Sequence, residues 1–129
     1  LLTDAELELK KHCIQEIGLL GGRAEDARDP LIGLLADPDP DIRSETALAL
    51  ARIGSSTPTL IEALIPLIED SEKAVRLNAC IALSVFGPDA SSALPALEPM
   101  ASDEDRELSA LARETIQAIQ ADTQTDNPS

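Results

Sequence analysis

The side chains with chemical reactivity in this chain are few and scattered. His12 is the only histidine, and Cys13 and Cys80 are the only cysteines. Residues i and i+1 on a helix point apart, so His12 is not expected to activate Cys13 as a base activates a nucleophile. The cysteine spacing matches neither a zinc site nor a disulfide framework, and no glycine-rich phosphate loop occurs. We therefore predict a surface histidine, no catalytic residue, no bound metal and no cofactor.

Carboxylates are the abundant reactive groups, and they occur in three clusters. The clusters are Asp37/Asp39/Asp41, Glu69/Asp70/Glu72 and Asp103/Glu104/Asp105. No glycine-containing calcium loop accompanies them. Each cluster lies where a helix is predicted to begin, and the helix dipole favours carboxylates there by about 0.3–1 kcal/mol. We interpret them as helix-start residues, and the alternative is a row of acidic corners that a basic partner contacts.

The elements that hold these residues repeat along the chain. Four aspartates recur at intervals of 33 residues, namely Asp4, Asp37, Asp70 and Asp103. Residues that share a register position are called a column here. Three apolar columns are Leu9/Ile42/Val75/Leu108, Ile17/Leu50/Leu83/Ile116 and Leu20/Ile53/Phe86/Ile119. A fixed period in this range indicates stacked supersecondary units, which predicts an α-solenoid.

Each unit is predicted to contain two short helices, A and B, which makes the fold all-α. Helix A carries a leucine stripe, such as Leu31, Leu34 and Leu35, at the spacing of one helix face. Before helix B, Asp39 is a predicted N-cap and Pro40 a predicted first helical residue. One domain at 1–120 then holds about three and a half repeats, at 3–21 (half), 24–54, 57–87 and 90–120. Residues 121–129 are predicted to form a disordered polar tail.

Two features of helix B indicate the type of repeat. An aspartate precedes an apolar–basic pair, as Asp37 precedes Ile42-Arg43. The helix then ends in an alanine- and leucine-rich stretch closed by glycine, as in 49–54 (ALARIG) and 82–87 (ALSVFG). At these residues the sequence resembles HEAT repeats, most of all the short bacterial subtype named for phycobilisome lyases. The resemblance covers residues 4–120 and implies an α-solenoid, but a fold alone implies no function.

The resemblance also implies a role for the repeated charged residues. In HEAT repeats, Asp and Arg of successive units tend to form a ladder along the stack. Here the resemblance implies a structural ladder of Asp37, Arg43, Asp70 and Arg76. An arginine fork bonds carboxylates and helix-terminal carbonyls better than Lys10 can. In the last unit, Ser109 replaces the arginine and Gln120 the glycine, as is typical of a capping repeat.

The two cysteines fall in columns of small residues. Cys13 shares a column with Thr46 and Ala79, and Cys80 shares one with Ala47. We therefore predict that both thiols are buried packing residues. Free thiols fit a reducing compartment, and no leader sequence is recognisable, so we predict a cytoplasmic location. Because the chain starts at a leucine, we expect it to be an excised piece.

One face of the B helices is predicted to bind a partner. In the third helix B, Leu77, Ile81 and Val85 lie at i, i+4 and i+8, away from the core columns. In HEAT solenoids the B helices line the concave surface, and the resemblance implies the same here. The predicted anchors are Leu48, Leu77, Ile81 and Val85, with Glu45, Asn78 and Arg52 giving orientation. The alternative is that these side chains pack against adjacent helices.

The charge restricts the class of partner. A net charge of −14 repels phosphate backbones and anionic membrane surfaces. The chain has no Trp or Tyr and a single Phe, so it lacks a platform for stacking bases. No apolar run approaches the roughly 18 residues of a membrane span. We therefore predict a protein or peptide partner, with a basic one suited to the charge, and neither nucleic acid nor membrane.

These observations predict a non-enzymatic scaffold or adaptor that binds its partner on the concave face. Two alternatives stay open. The half repeat at 3–21 lacks helix A, which is typical of a terminal segment of a longer solenoid. Such an open end also offers a surface for self-association. The resemblance further admits an accessory subunit of a phycobilin-lyase-like system, although the chain offers no aromatic pocket for a tetrapyrrole.

Overall fold

The computed structural model describes residues 3–125, and the regular elements of that range are all helical. The α-helices are α1 (Asp4–Leu19), α2 (Arg28–Ile32), α3 (Pro40–Ile53), α4 (Pro58–Leu64), α5 (Lys73–Phe86), α6 (Leu94–Met100) and α7 (Arg106–Thr125). The 3₁₀ segments are Gly21–Ala27, Gly33–Ala36, Ile65–Glu69 and Gly87–Ala93. The predicted all-α solenoid is confirmed.

The helices form two layers. The B layer contains α1, α3, α5 and α7, and the A layer contains α2, α4 and α6 with their 3₁₀ segments. Each B helix packs along the next, whereas successive A helices touch more sparsely. This difference agrees with the prediction that the B helices line the concave side, since a small rotation between repeats curves a solenoid.

The A helices are interrupted where the sequence disfavours a continuous α-helix. The α4 helix changes to a 3₁₀ segment at Ile65–Glu69, next to Pro66. Proline has no N–H to donate and crowds the preceding turn. The leucine stripe nevertheless continues through the break, because Leu64 and Leu67 both lie in the core. The interruption thus changes the helix type without removing the apolar face.

The turn between helix A and helix B follows the predicted capping chemistry. Asp39 is the N-cap of α3, where its carboxylate accepts the N–H of Asp41 at 2.8 Å, and Pro40 is the first helical residue. At the other end of α3, Gly54 adopts φ +82°. A left-handed conformation of this kind closes helices and favours glycine. These signals set the bounds of the B helices.

The core consists of the apolar columns of the three A–B pairs. Ile42, Leu50, Val75 and Leu83 are fully buried, and Cys80 is buried among them as predicted. The prediction for Cys13 is wrong, because this thiol is exposed. Its column mates lie in A–B pairs, whereas the A-layer segment that contacts α1 most in the described residues is Gly21–Ala27, which follows it directly in the chain.

The last helix extends further than its predicted bound. The α7 helix continues to Thr125, into the stretch 121–129 that was predicted as a disordered tail. Residues 126–129 of that stretch lie outside the described part of the chain.

One stretch, Lys73–Met100, is long and apolar enough to cross a membrane by length and composition alone. In the solenoid it is not a single straight helix, because α5 and α6 are separated by the segment Gly87–Ala93. Its apolar side chains, among them Val75 and Leu83, pack in the core. Its composition is therefore explained by the two-layer stack.

Candidate functional site

A ladder of ion pairs runs along the edge where A helices turn into B helices. The Arg43 guanidinium donates to both carboxylate oxygens of Asp70, from Nε at 2.9 Å and Nη2 at 3.0 Å. Its Nη1 also donates to the main-chain oxygens of Asp37 and Pro38. In the preceding unit, Lys10 Nζ donates to Asp37 at 2.7 Å. Each cation therefore links one repeat to the next.

The side-chain contacts of the ladder run in one direction, from the cation of one unit to the aspartate of the next, which the residue types alone do not reveal. Arg43 contacts the carboxylate of Asp70 in the next unit, and it reaches Asp37 of its own unit only through the main-chain carbonyl. Arg76 repeats the second contact, because its Nη1 donates to the main-chain oxygen of Asp70 at 2.6 Å. The carboxylate of Asp103 accepts the N–H of Asp105 instead. The side-chain ladder therefore ends before the last repeat.

A different ion pair joins the last two B helices. Lys73 Nζ lies 2.8 Å from Asp105 and 2.8 Å from Glu107. Asp105 also accepts the N–H of Glu107, so it caps the start of α7. This contact connects α5 to α7 at the step where Arg76 does not reach the carboxylate of Asp103.

The ladder changes the acidity of its carboxylates. Burial opposes ionisation of Asp70, but hydrogen bonds from Arg43 and from the Glu72 N–H outweigh it, and the pKa of Asp70 is lowered. Burial likewise opposes ionisation of Asp37, and the hydrogen bond from Lys10 lowers its pKa in the same way. Both side chains are therefore held ionised as structural partners.

The predicted anchors lie on the B helices α3 and α5 with different exposures. Ile81 and Val85 of α5 are exposed, at 36% and 53% of their surface. Leu77 and Leu48 are half-buried, and Leu77 packs against the core. The stripe is thus exposed at Ile81 and Val85 and packed against the core at Leu77. The alternative that all of these side chains pack against adjacent helices does not hold for Ile81 and Val85.

A groove between α5 and α7 borders this stripe. It has a volume of about 410 Å³, and it is lined by Leu77, Asn78, Ile81, Glu107, Ala110, Leu111 and Glu114. Apolar residues form its floor and two glutamates stand on its α7 side. Leu111 and Glu107 also line this groove, although they were not predicted from the sequence to do so. Leu111 shares its column with the polar Glu45 and Asn78, so only the position of α7 beside Leu77 reveals it.

The residues predicted to orient a partner are not equally available. The Asn78 amide donates to the Ser44 carbonyl at 3.0 Å and to the Ser44 hydroxyl at 2.8 Å. These bonds use the NH₂ group to tie α5 to α3. Glu45 is half-buried and Arg52 is exposed. Asn78 therefore stabilises the stack with its donors, and the two charged residues face solvent.

A second, more polar groove lies between α1 and α3 on the same side. It is lined by Glu8, Lys11, His12, Gln15, Asp41 and Glu45. Lys11 Nζ lies 2.7 Å from Glu8 and 3.4 Å from Asp41. Two carboxylates thus pair with one lysine and Glu45 adds a third to the lining, so the groove carries excess negative charge.

The remaining reactive groups do not assemble into a site. No group of three or more His, Cys, Asp or Glu side chains within residues 3–125 is placed to hold a metal ion. His12 lies on the surface, 3.8 Å from Glu16. Cys80 is 3.5 Å from the Met100 sulfur, and burial raises the pKa of its thiol to about 11. Such a thiol is a packing residue, because the nucleophilic form is a thiolate.

The chain is similar to repeat proteins in both sequence and structure. Residues 1–64 and 56–117 match the profile described as HEAT repeats. A designed armadillo repeat protein in complex with the peptide (KR)4 is 25% identical, with a TM-score of 0.75 over 90% of this chain. A computationally designed armadillo repeat protein for modular peptide recognition is 22% identical, with a TM-score of 0.72 over 89% of this chain. This chain spans 60% of the length of each of these structures. It matches no curated protein.

Proposed function

Because this chain belongs to the HEAT-repeat family, we propose that it is a non-enzymatic scaffold that binds a peptide segment on the concave face of its B helices. The observation that carries the proposal is the exposed stripe of α5, Ile81 and Val85, beside the groove with Leu77 and Leu111 at its base. Exposed apolar residues with a polar border are typical of interaction sites.

The surface favours a partner segment with apolar anchors flanked by basic residues. Burying one leucine-sized side chain against Leu77 and Ile81 contributes about 1.5–3 kcal/mol. Glu114 lines the groove beside the stripe, and Glu45 lies on α3, which packs on the other side of α5, so both carboxylates are suited to lysine or arginine. The net charge of −14 adds long-range attraction for a basic segment, which raises the association rate more than the affinity.

The similar structures support a peptide as the partner. The designed armadillo repeat protein at 25% identity is a complex with (KR)4, an alternating basic peptide. That peptide is bound by a different protein, and its relevance here is the shared solenoid. The apolar stripe on α5 further favours a segment that is not basic throughout.

The direct test is a calorimetric titration with two synthetic peptides. Both are variants of (KR)4 with equal charge, one with its two central residues replaced by serine and the other with the same two residues replaced by leucine. We expect the leucine-bearing peptide to bind about tenfold more tightly, since one buried leucine is worth more than 1.4 kcal/mol. The L77S/I81S double variant should lose this advantage while its circular dichroism is unchanged. Serine is used because glutamate would add negative charge that itself attracts a basic peptide.

The matched control is L9S/L20S, which removes exposed apolar surface from α1 without touching the α5 stripe. This variant should bind both peptides as the native chain does. Equal binding of the two peptides by the native chain, or equal loss in both variants, would contradict the proposal.

A second function is favoured by α1. Leu9 and Leu20 are exposed at 62% and 53%, as is expected of a terminal segment of a longer solenoid or of a surface for self-association. A single-chain mass in analytical ultracentrifugation would exclude self-association.

Two further points stay predictions from sequence, namely the phycobilisome-lyase subtype and a cytoplasmic location. A bilin titration followed by absorbance tests the subtype.

A further inference from the structure

The groove between α5 and α7 runs along the two helices and not across them. Its lining residues on α7 lie at i, i+3, i+4 and i+7, namely Glu107, Ala110, Leu111 and Glu114. On α5, Leu77 and Ile81 line it one turn apart, and Val85 extends the exposed stripe by a further turn. At a rise of about 1.5 Å per residue, the groove follows α7 for about 10 Å. The open apolar surface is therefore long and parallel to the helix axes.

The side chains of this groove offer hydrogen-bond acceptors but no free donor. Among the seven residues that line it, only Asn78 carries a side-chain donor. Its NH₂ group already donates to the carbonyl and the hydroxyl of Ser44. The main chains on both sides belong to the α-helices α5 and α7, whose interior N–H groups bond within the helix. A carbonyl group of a partner that reaches the groove floor therefore finds no donor there.

This lining favours a helical segment over an extended one. An extended main chain presents N–H and C=O groups along its whole length, and a group that is buried without a partner destabilises the complex. An α-helix satisfies these groups internally and presents only its side chains. The floor of Leu77, Ile81 and Leu111 suits the apolar face of such a helix, because helices that pack side by side meet through residues spaced at i, i+3, i+4 and i+7.

The two glutamates of the groove are not equally available to a partner. Glu107 already accepts Lys73 Nζ at 2.8 Å, so an ammonium group of this chain neutralises that end. Glu114 forms no ion pair within residues 3–121, whose side chains the structure describes. It shares its column with Ile81 in the middle of the stripe. A cation of the partner is therefore favoured beside Glu114, on one flank of the partner's apolar face.

We propose that this groove binds an amphipathic α-helix of a partner protein, which lies along α5. Its aliphatic residues pack on Leu77 and Ile81, and a lysine or arginine on its flank lies beside Glu114. The inference rests on the proposed function, and it adds the conformation of the bound segment and the position of its charge. A second copy of this chain is a poorer occupant, because each copy carries a net charge of −14 and the two copies repel each other.

Two synthetic peptides of identical composition test the conformation. Each has about 15 residues, with three leucines and two lysines in a background of alanine and glutamine. One peptide places its leucines at i, i+4 and i+7, on one face of a helix, and the other at i, i+2 and i+4, on one face of an extended chain. Fluorescence anisotropy of the labelled peptides measures their binding to the intact chain. We expect the helix-face peptide to bind about tenfold more tightly or better.

A proline variant of the helix-face peptide separates conformation from composition. Proline replaces one alanine on the face opposite the leucines, so that every proposed contact residue is kept while the helix is broken. We expect this variant to bind about tenfold more weakly or worse.

A double-mutant cycle tests the position of the charge. Glu114→Gln should weaken binding of the helix-face peptide by about threefold, as expected for an exposed ion pair, and should not affect a peptide whose lysines are replaced by glutamine. Glu98→Gln removes the same charge from an exposed position on α6 and should leave both affinities nearly unchanged. Equal effects of the two substitutions would overturn the placement of the cation beside Glu114.

The remaining outcomes separate this inference from the proposed function. Equal binding of the two leucine patterns, or undiminished binding of the proline variant, overturns the inference, and the proposed function survives if L77S/I81S still weakens binding. Self-association of the chain that L77S/I81S abolishes also overturns the inference, because a second copy would then cover the stripe. Absence of binding by every peptide, the leucine-bearing (KR)4 variant included, overturns both.

Discussion

Among residues 3–121, whose exposure the structure describes, large apolar side chains are exposed in two regions, and the columns that contain them differ. In the first region, Leu9 of α1 and Leu20, which caps the end of α1, stand in columns that are apolar in every unit and buried in the later ones. On α5, the Ile81 column contains Gln15, Leu48 and Glu114 in the other units. An exposed residue in a uniformly apolar column marks an absent structural neighbour. An exposed residue in a variable column marks a surface that is specific to its unit.

The comparison also separates the physical roles of the two surfaces. The α1 face has the apolar columns that pack inside the later units. The α5 stripe borders a groove with carboxylates on its α7 side, and it is the surface that we propose for peptide binding.

The largest expected effect is a difference in stability between two substitutions in the same column. Ile42→Ala should lower the free energy of unfolding by about 2–5 kcal/mol, because it removes a fully buried side chain and leaves a cavity. Leu9→Ala at the same register should change it by less than about 0.5 kcal/mol, since little buried surface is lost. Urea unfolding of both variants checks this. A similar loss in both would show that α1 is covered in solution.

The ladder gives a second contrast, between the middle of the stack and its end. Asp70→Asn should cost about 1.5–3 kcal/mol, the range for hydrogen bonds to charged groups, because the amide has a single acceptor oxygen and no charge, so one of the two bonds from Arg43 is lost and the other is weakened. Asp103→Asn should cost less than about 0.5 kcal/mol, since the carboxylate there receives only a turn N–H and the amide oxygen can accept it. Thermal unfolding of the two variants side by side measures the difference. Equal losses would show that the Arg43–Asp70 pair contributes no more stability than the turn hydrogen bond at Asp103.

The same carboxylates predict a pH dependence. The pKa values of Asp37 and Asp70 are lowered in the folded state. A lowered native pKa contributes stability that is complete above the ordinary carboxyl pKa of about 4, and this contribution is lost as the pH falls through the native value. The free energy of unfolding should therefore drop below about pH 4. Asp70→Asn should flatten this drop, and an unchanged slope would count against the assignment.

The smallest expected stability effect lies on the α5 stripe. Val85→Ser should change the free energy of unfolding by about 0.5 kcal/mol or less, because the side chain is already exposed. A surface held for binding contributes affinity and little stability. A loss comparable to that of Ile42→Ala would show instead that the stripe is a packing surface.

The period of 33 residues was sufficient to predict the fold and the core of the later units, because apolar columns and turn residues agree with each other. It failed for Cys13, since a column predicts burial only where a neighbour is present. It also missed Leu111 at the groove, which depends on how α7 lies beside α5. The hydrogen bonds that the Asn78 amide donates to Ser44 likewise depend on the spacing of adjacent B helices. Sequence patterns describe each unit, and these features arise between units.

The most direct test of the central claim is an NMR titration of the isotopically labelled chain with the leucine-bearing basic peptide. We expect saturable shifts of the amides around Leu77, Ile81 and Glu114, with α1 unaffected. Shifts confined to α1 around Leu9, or no shifts up to a millimolar concentration of peptide, would contradict it.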